Sequence, residues 1–146
     1  MGLLAAADMV LASEDTLFGF PEVKLGITPS MISPYIISIM GERLAQYYFL
    51  TGEKFNAHCA QQMGLVHQVI AQDQLMRAGN QLAKTLLQNS PQALQSVKKL
   101  LRGIAQDKIS PQLSQKTAEH LAASRETKEA LEGLNAFLEK RTPNWK

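Results

Sequence analysis

Glu22 is the residue whose type and neighbours best suit catalytic chemistry. It follows Pro21 and stands close in sequence to Phe18, Phe20 and Leu25. A carboxyl group held among apolar side chains can take up and release a proton near neutral pH, as general acid and base catalysis requires. Taken alone, a glutamate after a proline is most often a solvated loop carboxylate. The motifs around Glu22 decide whether it is a catalytic residue or a solvated loop carboxylate.

The remaining reactive side chains favour neither a metal site nor a nucleophile. Cys59 is the only cysteine, which excludes an internal disulfide and a cysteine-based zinc site. His58, His67 and His120 lie far apart in sequence on different elements, so packing or surface roles suit them better than metal ligation. We expect no metal and no redox cofactor.

The composition is that of one ordinary domain. The 146 residues are 45% hydrophobic and 19% charged, with a formal net charge of +2. That charge is too small to indicate a nucleic-acid surface. No apolar run approaches the roughly 18 residues of a membrane-spanning helix, and the opening segment lacks the basic flank of a signal peptide. We therefore expect a cytoplasmic protein with no nucleic-acid or membrane partner.

The apolar pattern predicts short strands first and helices afterwards. Local signals are clearest where a Ser-Pro pair supplies an N-cap and a first-turn proline, at residues 90–91 and 110–111. Gly41 separates two short helices, and Asn56 caps another that Gly64 ends. The predicted elements are a helix at 2–7, strands at 9–12, 16–20 and 65–70, an ordered loop at 22–33, and helices within 36–50, 56–63, 75–89, 91–104, 111–122 and 130–138.

The predicted helices outnumber the strands against which they could pack. Four or five amphipathic helices must bury their apolar faces, and only about three short strands are predicted. The helices therefore either form a small bundle of their own or pack on other subunits or on a sheet outside this chain. We also expect apolar surface to remain exposed when the chain is alone.

Several motifs in a fixed order resemble the enoyl-CoA hydratase/isomerase (crotonase) family. The resemblance covers essentially the whole chain. It is carried by residues 2–8 (GLLAAAD), 18–29 (FGFPEVKLGITP), 41–43 (GER), 48–52 (YFLTG), 64–69 (GLVHQV) and 136–141 (AFLEKR). Residues 32–35 (ISPY) replace the family's commoner glycine-rich segment and look like the branch that hydrates methylglutaconyl-type and related branched acyl-CoAs.

The resemblance implies an α+β fold that is the C-terminal part of a crotonase-type fold. Residues 1–55 would be the end of the β-β-α spiral with an active-site loop. Residues 56–146 would be a mainly helical region for oligomerisation and contact with coenzyme A, assembling as a homotrimer or hexamer. Roughly the first half of the spiral would precede Met1, so we expect this chain to be a truncated form or piece of the enzyme.

The family reaction adds water across the double bond of a 2-enoyl-CoA thioester. Two backbone N–H donors hold the thioester oxygen, and by the resemblance both precede Met1. Of the family's two catalytic glutamates, the second corresponds to Glu22 and the first to Gly2, which has no carboxyl. Ser30 corresponds to a position whose backbone N–H orients the catalytic water. Phe137 and Lys140 correspond to positions that contact coenzyme A, the substrate carrier.

Alternatives to these assignments stay open. With one glutamate, a single-base double-bond isomerase is an alternative to a hydratase. A non-catalytic oligomerising remnant is another, and a helical scaffold unrelated to coenzyme A is the third. For Phe137 the helical spacing also suits a core residue, and Lys140 with Arg141 also suits charge that complements a helix C-terminus.

Overall fold

The strands and short helices lie in the first part of the chain and the long helices follow. The computed structural model describes residues 1–145. The elements are α1 (Gly2–Ala6), β1 (Leu11–Ser13), β2 (Leu17–Gly19), a 3₁₀ helix (Pro21–Leu25), α2 (Ser33–Met40), α3 (Glu42–Thr51), β3 (Lys54–Asn56), α4 (Ala57–Gln62), β4 (Gln68–Ile70), a 3₁₀ turn (Gln72–Gln74), α5 (Leu75–Leu87), α6 (Pro91–Ile104), α7 (Pro111–Arg125) and α8 (Lys128–Leu138). This is a helix-rich α+β arrangement, as predicted.

The described elements form two compact units, Met1–Gln81 and Leu82–Lys146. The boundary predicted between residues 55 and 56 is a division by role, and that division stays a prediction. In the structure it falls inside β3, within the first compact unit.

Two small sheets organise the first unit. β1 pairs in parallel with β4, with Ala12 opposite Val69. β2 pairs antiparallel with β3, with Phe18 opposite Phe55. β3 was not predicted from the sequence. Three residues with polar ends carry too little pattern, and this segment becomes a strand because the edge of β2 supplies its hydrogen bonds.

The parallel pair is extended by one residue beyond its strands. Val10 N–H donates to Nδ1 of His67 at 3.1 Å, and His67 N–H donates to the Val10 carbonyl at 2.9 Å. His67 therefore has a structural role in joining β1 to β4. This is consistent with the expectation that the histidines take packing or surface roles.

The core of the first unit is aromatic. Phe20 is fully buried, and its ring lies 4.8 Å from that of Phe49 in an edge-to-face contact. The ring of Phe55 lies 4.5 Å from Tyr48 and 5.8 Å from Phe18. Aromatic pairs at these distances contribute beyond the area they bury. The cluster fixes β2, β3 and α3 relative to one another.

The N-caps predicted from the sequence for three helices are confirmed. Ser90 Oγ accepts from Ala93 N–H at 2.9 Å and Ser110 Oγ accepts from Leu113 N–H at 3.2 Å, each followed by a first-turn proline. Asn56 caps α4 in the same way, through Cys59 N–H at 2.8 Å. No helix within residues 1–145 has the length and apolarity needed to cross a membrane.

The second unit buries few of its apolar side chains. Its apolar side chains left about half exposed or more include Leu87, Val97, Leu101, Leu121, Leu131, Leu134, Phe137 and Leu138. Only Ala136 of the described residues in α6–α8 is buried. The expectation of exposed apolar surface is confirmed, and a surface of this kind is typical of an interaction site.

Candidate active site

Glu22 is held at the start of the 3₁₀ helix by its neighbours in sequence. Phe20 caps this helix and is buried, and Pro21 presets the first turn. Gly26 ends the helix at φ 72°, a left-handed conformation that glycine adopts without strain. Ile27 N–H then donates to the Glu22 carbonyl at 3.1 Å. The backbone of Glu22 is thereby fixed on both sides.

The residue that follows α3 packs closely against the same 3₁₀ helix. Gly52 follows α3 at φ 58°, and a Cβ placed there would lie 2.9 Å from Lys24 Cε and 3.2 Å from Val23 Cγ1. A side chain at this position would displace the flexible end of Lys24, press on the Val23 methyl and be strained by the positive φ. Gly52 thus allows the Glu22 segment to pack directly against the end of α3.

The carboxyl group of Glu22 is unusual in its surroundings. Its Oε2 is buried and has no hydrogen-bond partner within residues 1–145. A buried carboxylate oxygen without a partner is costly, so such atoms in native proteins call for a specific explanation. Phe18 and Phe20, expected from the sequence to lie near it, are both buried. Leu25, expected to join them, is instead 73% exposed.

Ser30 lies farther along the same loop, in a small network of hydroxyl groups. Its Oγ is 2.6 Å from Thr28 Oγ1, and Ser33 Oγ donates to its carbonyl oxygen at 3.0 Å. Within the described residues its own N–H has no acceptor. Thr28 and Ser33 were not predicted as parts of the site. The spacing of the three hydroxyl residues around Pro29 was the available signal.

A cavity of about 280 Å³ opens beside this loop. It is lined by Val23, Ile27, Thr28, Pro29, Ser30, Ser33, Phe49 and Leu50. Ser30 therefore lines a mainly apolar cavity. Glu22 lies in the 3₁₀ helix that precedes this loop and is not among the lining residues. The structure therefore does not bring both Ser30 and Glu22 to this cavity.

Phe137 and Lys140 lie at the end of α8 in the second unit. Phe137 is 80% exposed, so the alternative that it is a core residue is wrong for this chain. Lys140 has φ 54°, a left-handed conformation rare for a residue other than glycine. Its N–H donates to the Phe137 carbonyl at 3.2 Å, and Arg141 N–H donates to the Ala136 carbonyl at 3.0 Å. These two bonds form a Schellman motif with lysine at the position that glycine usually occupies.

Arg141 and Lys140 have different surroundings. The Arg141 guanidinium donates to both carboxylate oxygens of Glu132, at 2.6 and 3.0 Å, and to Glu139 at 2.6 Å. The bonds from Arg141 to Glu132, together with the bond from Asn144 N–H, lower the pKa of Glu132 to about 2. The Lys140 ammonium is exposed and has no carboxylate partner within residues 1–145. Of the two cations, Lys140 is the one available to a ligand.

The described residues contain no group of three or more His, Cys, Asp or Glu side chains placed to hold a metal ion. Of the histidines, His120 Nε2 lies 3.0 Å from Ser96 Oγ and joins α7 to α6. Cys59 lies on α4 as a partly buried free thiol. These contacts explain the residues as parts of the scaffold.

The comparisons with known proteins cover nearly the whole chain. The family model described as "Enoyl-CoA hydratase/isomerase" matches residues 1–146. A 2,3-dehydroadipyl-CoA hydratase of Escherichia coli (strain K12) is 37% identical over 145 residues, which are 99% of this chain and 56% of that protein. A carnitinyl-CoA dehydratase of Salmonella typhi is 30% identical over 156 residues, 99% of this chain and 57% of that one.

Solved structures agree with these relatives. A Legionella pneumophila protein named as an enoyl-CoA hydratase/isomerase (crotonase) superposes with a TM-score of 0.95 at 39% identity, covering 99% of this chain and 56% of its own. An enoyl-CoA hydratase from Shewanella pealeana gives 0.92 at 40% identity, covering 99% and 54%. The predicted crotonase-type fold is confirmed. The chain spans just over half the length of the relatives it matches.

Proposed function

Because the chain belongs to the enoyl-CoA hydratase/isomerase family, we propose that it forms part of an enzyme that adds water across the double bond of a 2-enoyl-CoA thioester. Relatives named as hydratases and dehydratases support this reaction type. The match of residues 32–35 to the branched-acyl group of the family makes a branched 2-enoyl chain our proposed substrate.

The observation that carries the proposal is the buried, unpartnered Oε2 of Glu22. Hydration needs a carboxyl group that moves a proton between water and the acyl chain, and that group must be able to bond to the substrate or the water. An oxygen already satisfied by the protein could not do so. Glu22 is our proposed proton-transferring residue.

Ser30 supports the same reaction through its backbone. Its N–H has no acceptor among the described residues, while its Oγ and carbonyl oxygen are engaged by Thr28 and Ser33. A loop held in this way presents a fixed donor. We propose that this N–H positions the attacking water, with the donors for the thioester oxygen coming from the segment that the resemblance places before Met1.

Isomerisation is the second candidate, and Gly2 favours it. The position that corresponds to the first family glutamate carries no side chain, so one carboxyl group remains in the described site. A single carboxyl can remove a proton from one carbon and return it to another, which moves the double bond without adding water. Hydration adds one water molecule to the thioester and so raises its mass, whereas isomerisation leaves its mass unchanged.

We further propose that Phe137 and Lys140 contact coenzyme A and that the apolar side chains of α6–α8 form an oligomer interface. An exposed ring and an unpaired ammonium suit a base and a phosphate group. A homotrimer or hexamer would cover the exposed apolar side chains. Light scattering of the purified protein tests this, because a monomer at micromolar concentration would contradict it.

The test of function compares Glu22→Gln with Glu14→Gln in the native protein that contains this chain, after its intact mass has been measured. Glu14 is an exposed carboxylate in the same unit and serves as the matched control. We expect Glu22→Gln to lower kcat for 2-enoyl-CoA hydration by about 10²- to 10⁴-fold. Glu14→Gln should stay near wild type.

Three outcomes would contradict parts of the proposal. Glu22→Gln with near wild-type turnover would remove its assigned role. A native protein that binds coenzyme A but turns over no enoyl thioester would favour the non-catalytic oligomerising remnant. Turnover by a polypeptide whose mass matches only these 146 residues would show that the upstream oxyanion donors are not essential.

A further inference from the structure

Arg141 engages two carboxylates at the end of α8. Its two terminal nitrogens donate to the carboxylate oxygens of Glu132 at 2.6 and 3.0 Å, and its Nε donates to Glu139 Oε2 at 2.6 Å. All three guanidinium nitrogens thereby bond to carboxylate oxygens. A forked contact of this kind needs the planar guanidinium, and a lysine ammonium cannot make it. The pairing with Glu132 therefore selects Arg141 over its neighbour Lys140.

The residues that follow α8 hold this group in place. Asn144 N–H donates to Glu132 Oε1 at 2.7 Å, beside the bond from Arg141. The indole N–H of Trp145 donates to the Gln88 carbonyl at 2.8 Å, so the same stretch of chain is also tied to the residue after α5. The guanidinium is thus fixed against α8 by bonds on both sides of it in sequence.

Lys140 has carboxylates close to it in sequence and pairs with none of them. It stands between Glu139 and Arg141, it is exposed, and its ammonium has no carboxylate partner among the described residues. A long, flexible lysine side chain readily forms exposed ion pairs. With Glu132, the group holds two carboxylates and two cations and sums to zero charge. Loss of the guanidinium would therefore leave an excess negative charge beside the ammonium.

We propose that Arg141 is a positioning residue, which binds both carboxylates at the end of α8 and so keeps the Lys140 ammonium free for a phosphate group of coenzyme A. This rests on the proposed function, in which Lys140 contacts coenzyme A. Without the guanidinium, Glu132 or Glu139 competes with the phosphate for the ammonium. Coenzyme A must then displace a carboxylate before it binds, and its affinity falls.

The state of the Lys140 ammonium is tested without any ligand, by acetylation with acetic anhydride and mass spectrometry of the native protein that contains this chain. Only the deprotonated amine reacts, and a carboxylate partner favours the charged form. We expect Arg141→Gln to slow acetylation of Lys140 by about 2- to 5-fold, the effect of one exposed ion pair. Adding Glu132→Gln and Glu139→Gln should return the rate to near that of wild type. Equal rates in wild type and Arg141→Gln would overturn the proposal.

Titration calorimetry with coenzyme A tests whether the free ammonium serves the ligand. Arg141→Gln should raise Kd by about 2- to 5-fold, and should leave Kd unchanged when Glu132→Gln and Glu139→Gln are already present. Lys116→Gln is the control, because it also removes a cation from an exposed ion pair of the same unit, here with Asp107 at 3.1 Å. It should leave Kd near wild type. An equal loss with and without the two carboxylates would show that Arg141 does not act through them.

Turnover separates positioning from a general structural effect. Arg141→Gln should raise KM for a 2-enoyl-CoA and leave kcat near wild type, because a contact with the carrier is made equally before and during the reaction. A fall in kcat with unchanged KM would overturn the proposal. If thermal unfolding shows that Arg141→Gln is not folded, Arg141→Lys takes its place in each comparison. Lysine keeps the charge without the fork, so a smaller effect in the same direction is expected, and no effect would refute the role.

The outcomes also separate this inference from the proposed function. If Lys140→Ala weakens coenzyme A binding and Arg141→Gln does not, the positioning role fails and the proposed contact stands. If Lys140→Ala binds coenzyme A as tightly as wild type, the proposed contact fails and the ligand role of Arg141 fails with it. The acetylation series would still report whether Arg141 keeps the Lys140 ammonium unpaired.

Discussion

Replacing Lys140 by glycine should make the protein more stable while weakening the binding of coenzyme A that we propose for this residue. Lys140 sits at φ 54° in the Schellman motif that ends α8. A left-handed conformation costs a residue with a Cβ about 1–2 kcal/mol, and glycine avoids that cost. Glycine loses about 0.5–1 kcal/mol through its greater freedom in the unfolded chain. The net gain is about 0.5–1 kcal/mol.

The measurement is thermal and urea unfolding of Lys140→Gly beside Lys140→Ala. Both variants lack the ammonium, but alanine keeps the left-handed strain. A gain of about 0.5–1 kcal/mol raises Tm by roughly 2–3 °C in a domain of this size. We expect that rise in Tm for Lys140→Gly alone. Both variants should bind coenzyme A about 2- to 5-fold more weakly, which corresponds to the free energy of one exposed ion pair. Equal Tm values for the two variants would refute the backbone interpretation, and unchanged binding would remove Lys140 from the ligand site.

Three further predictions concern stability. Phe20→Ala should cost about 3–5 kcal/mol in urea unfolding, because the ring is fully buried; a cost below about 1 kcal/mol would contradict its role as the anchor of the Glu22 segment. Ser110→Ala should cost about 1 kcal/mol through loss of an N-cap, and Ser90→Ala should cost more, because Ser90 Oγ also bonds to the Glu129 carboxylate. Equal costs would mean that the second bond adds nothing. The pKa of Glu132 falls from 4.5 to about 2 on folding, so the stabilisation that its carboxylate gives the folded protein is complete above pH 4.5 and is lost as the pH falls towards 2. The difference in Tm between wild type and Glu132→Gln should therefore close between pH 4.5 and pH 2. A constant difference would contradict this prediction.

Several features of this protein are local and could be predicted from the sequence. The Ser-Pro pairs place the starts of α6 and α7, because the hydroxyl and the proline act within the first turn of the same helix. Asn56 capping α4 and the break between two helices at Gly41 have the same local origin. The family resemblance depends on the order of motifs along the chain, and it was confirmed without any knowledge of contacts.

Other features required the tertiary structure, because they depend on residues distant in sequence. The segment at Lys54–Asn56 is a strand only beside β2, and the partner of Val10 is His67, 57 residues away. The exposure of Leu25 could not be read from its neighbours.

The candidate site likewise has some features that the sequence predicts and others that only the tertiary structure reveals. The sequence by itself determined that Glu22 follows Pro21, that position 2 has no side chain and that residues 32–35 stand where the family more commonly has a glycine-rich segment. The predicted loop at 22–33 begins instead with a 3₁₀ helix at Pro21–Leu25. Only the tertiary structure decided that Glu22 Oε2 is buried without a partner and that Arg141, not Lys140, binds Glu132. The physical reason is that burial and ion pairing arise where separate segments pack together, and pattern along one segment carries no measure of that packing.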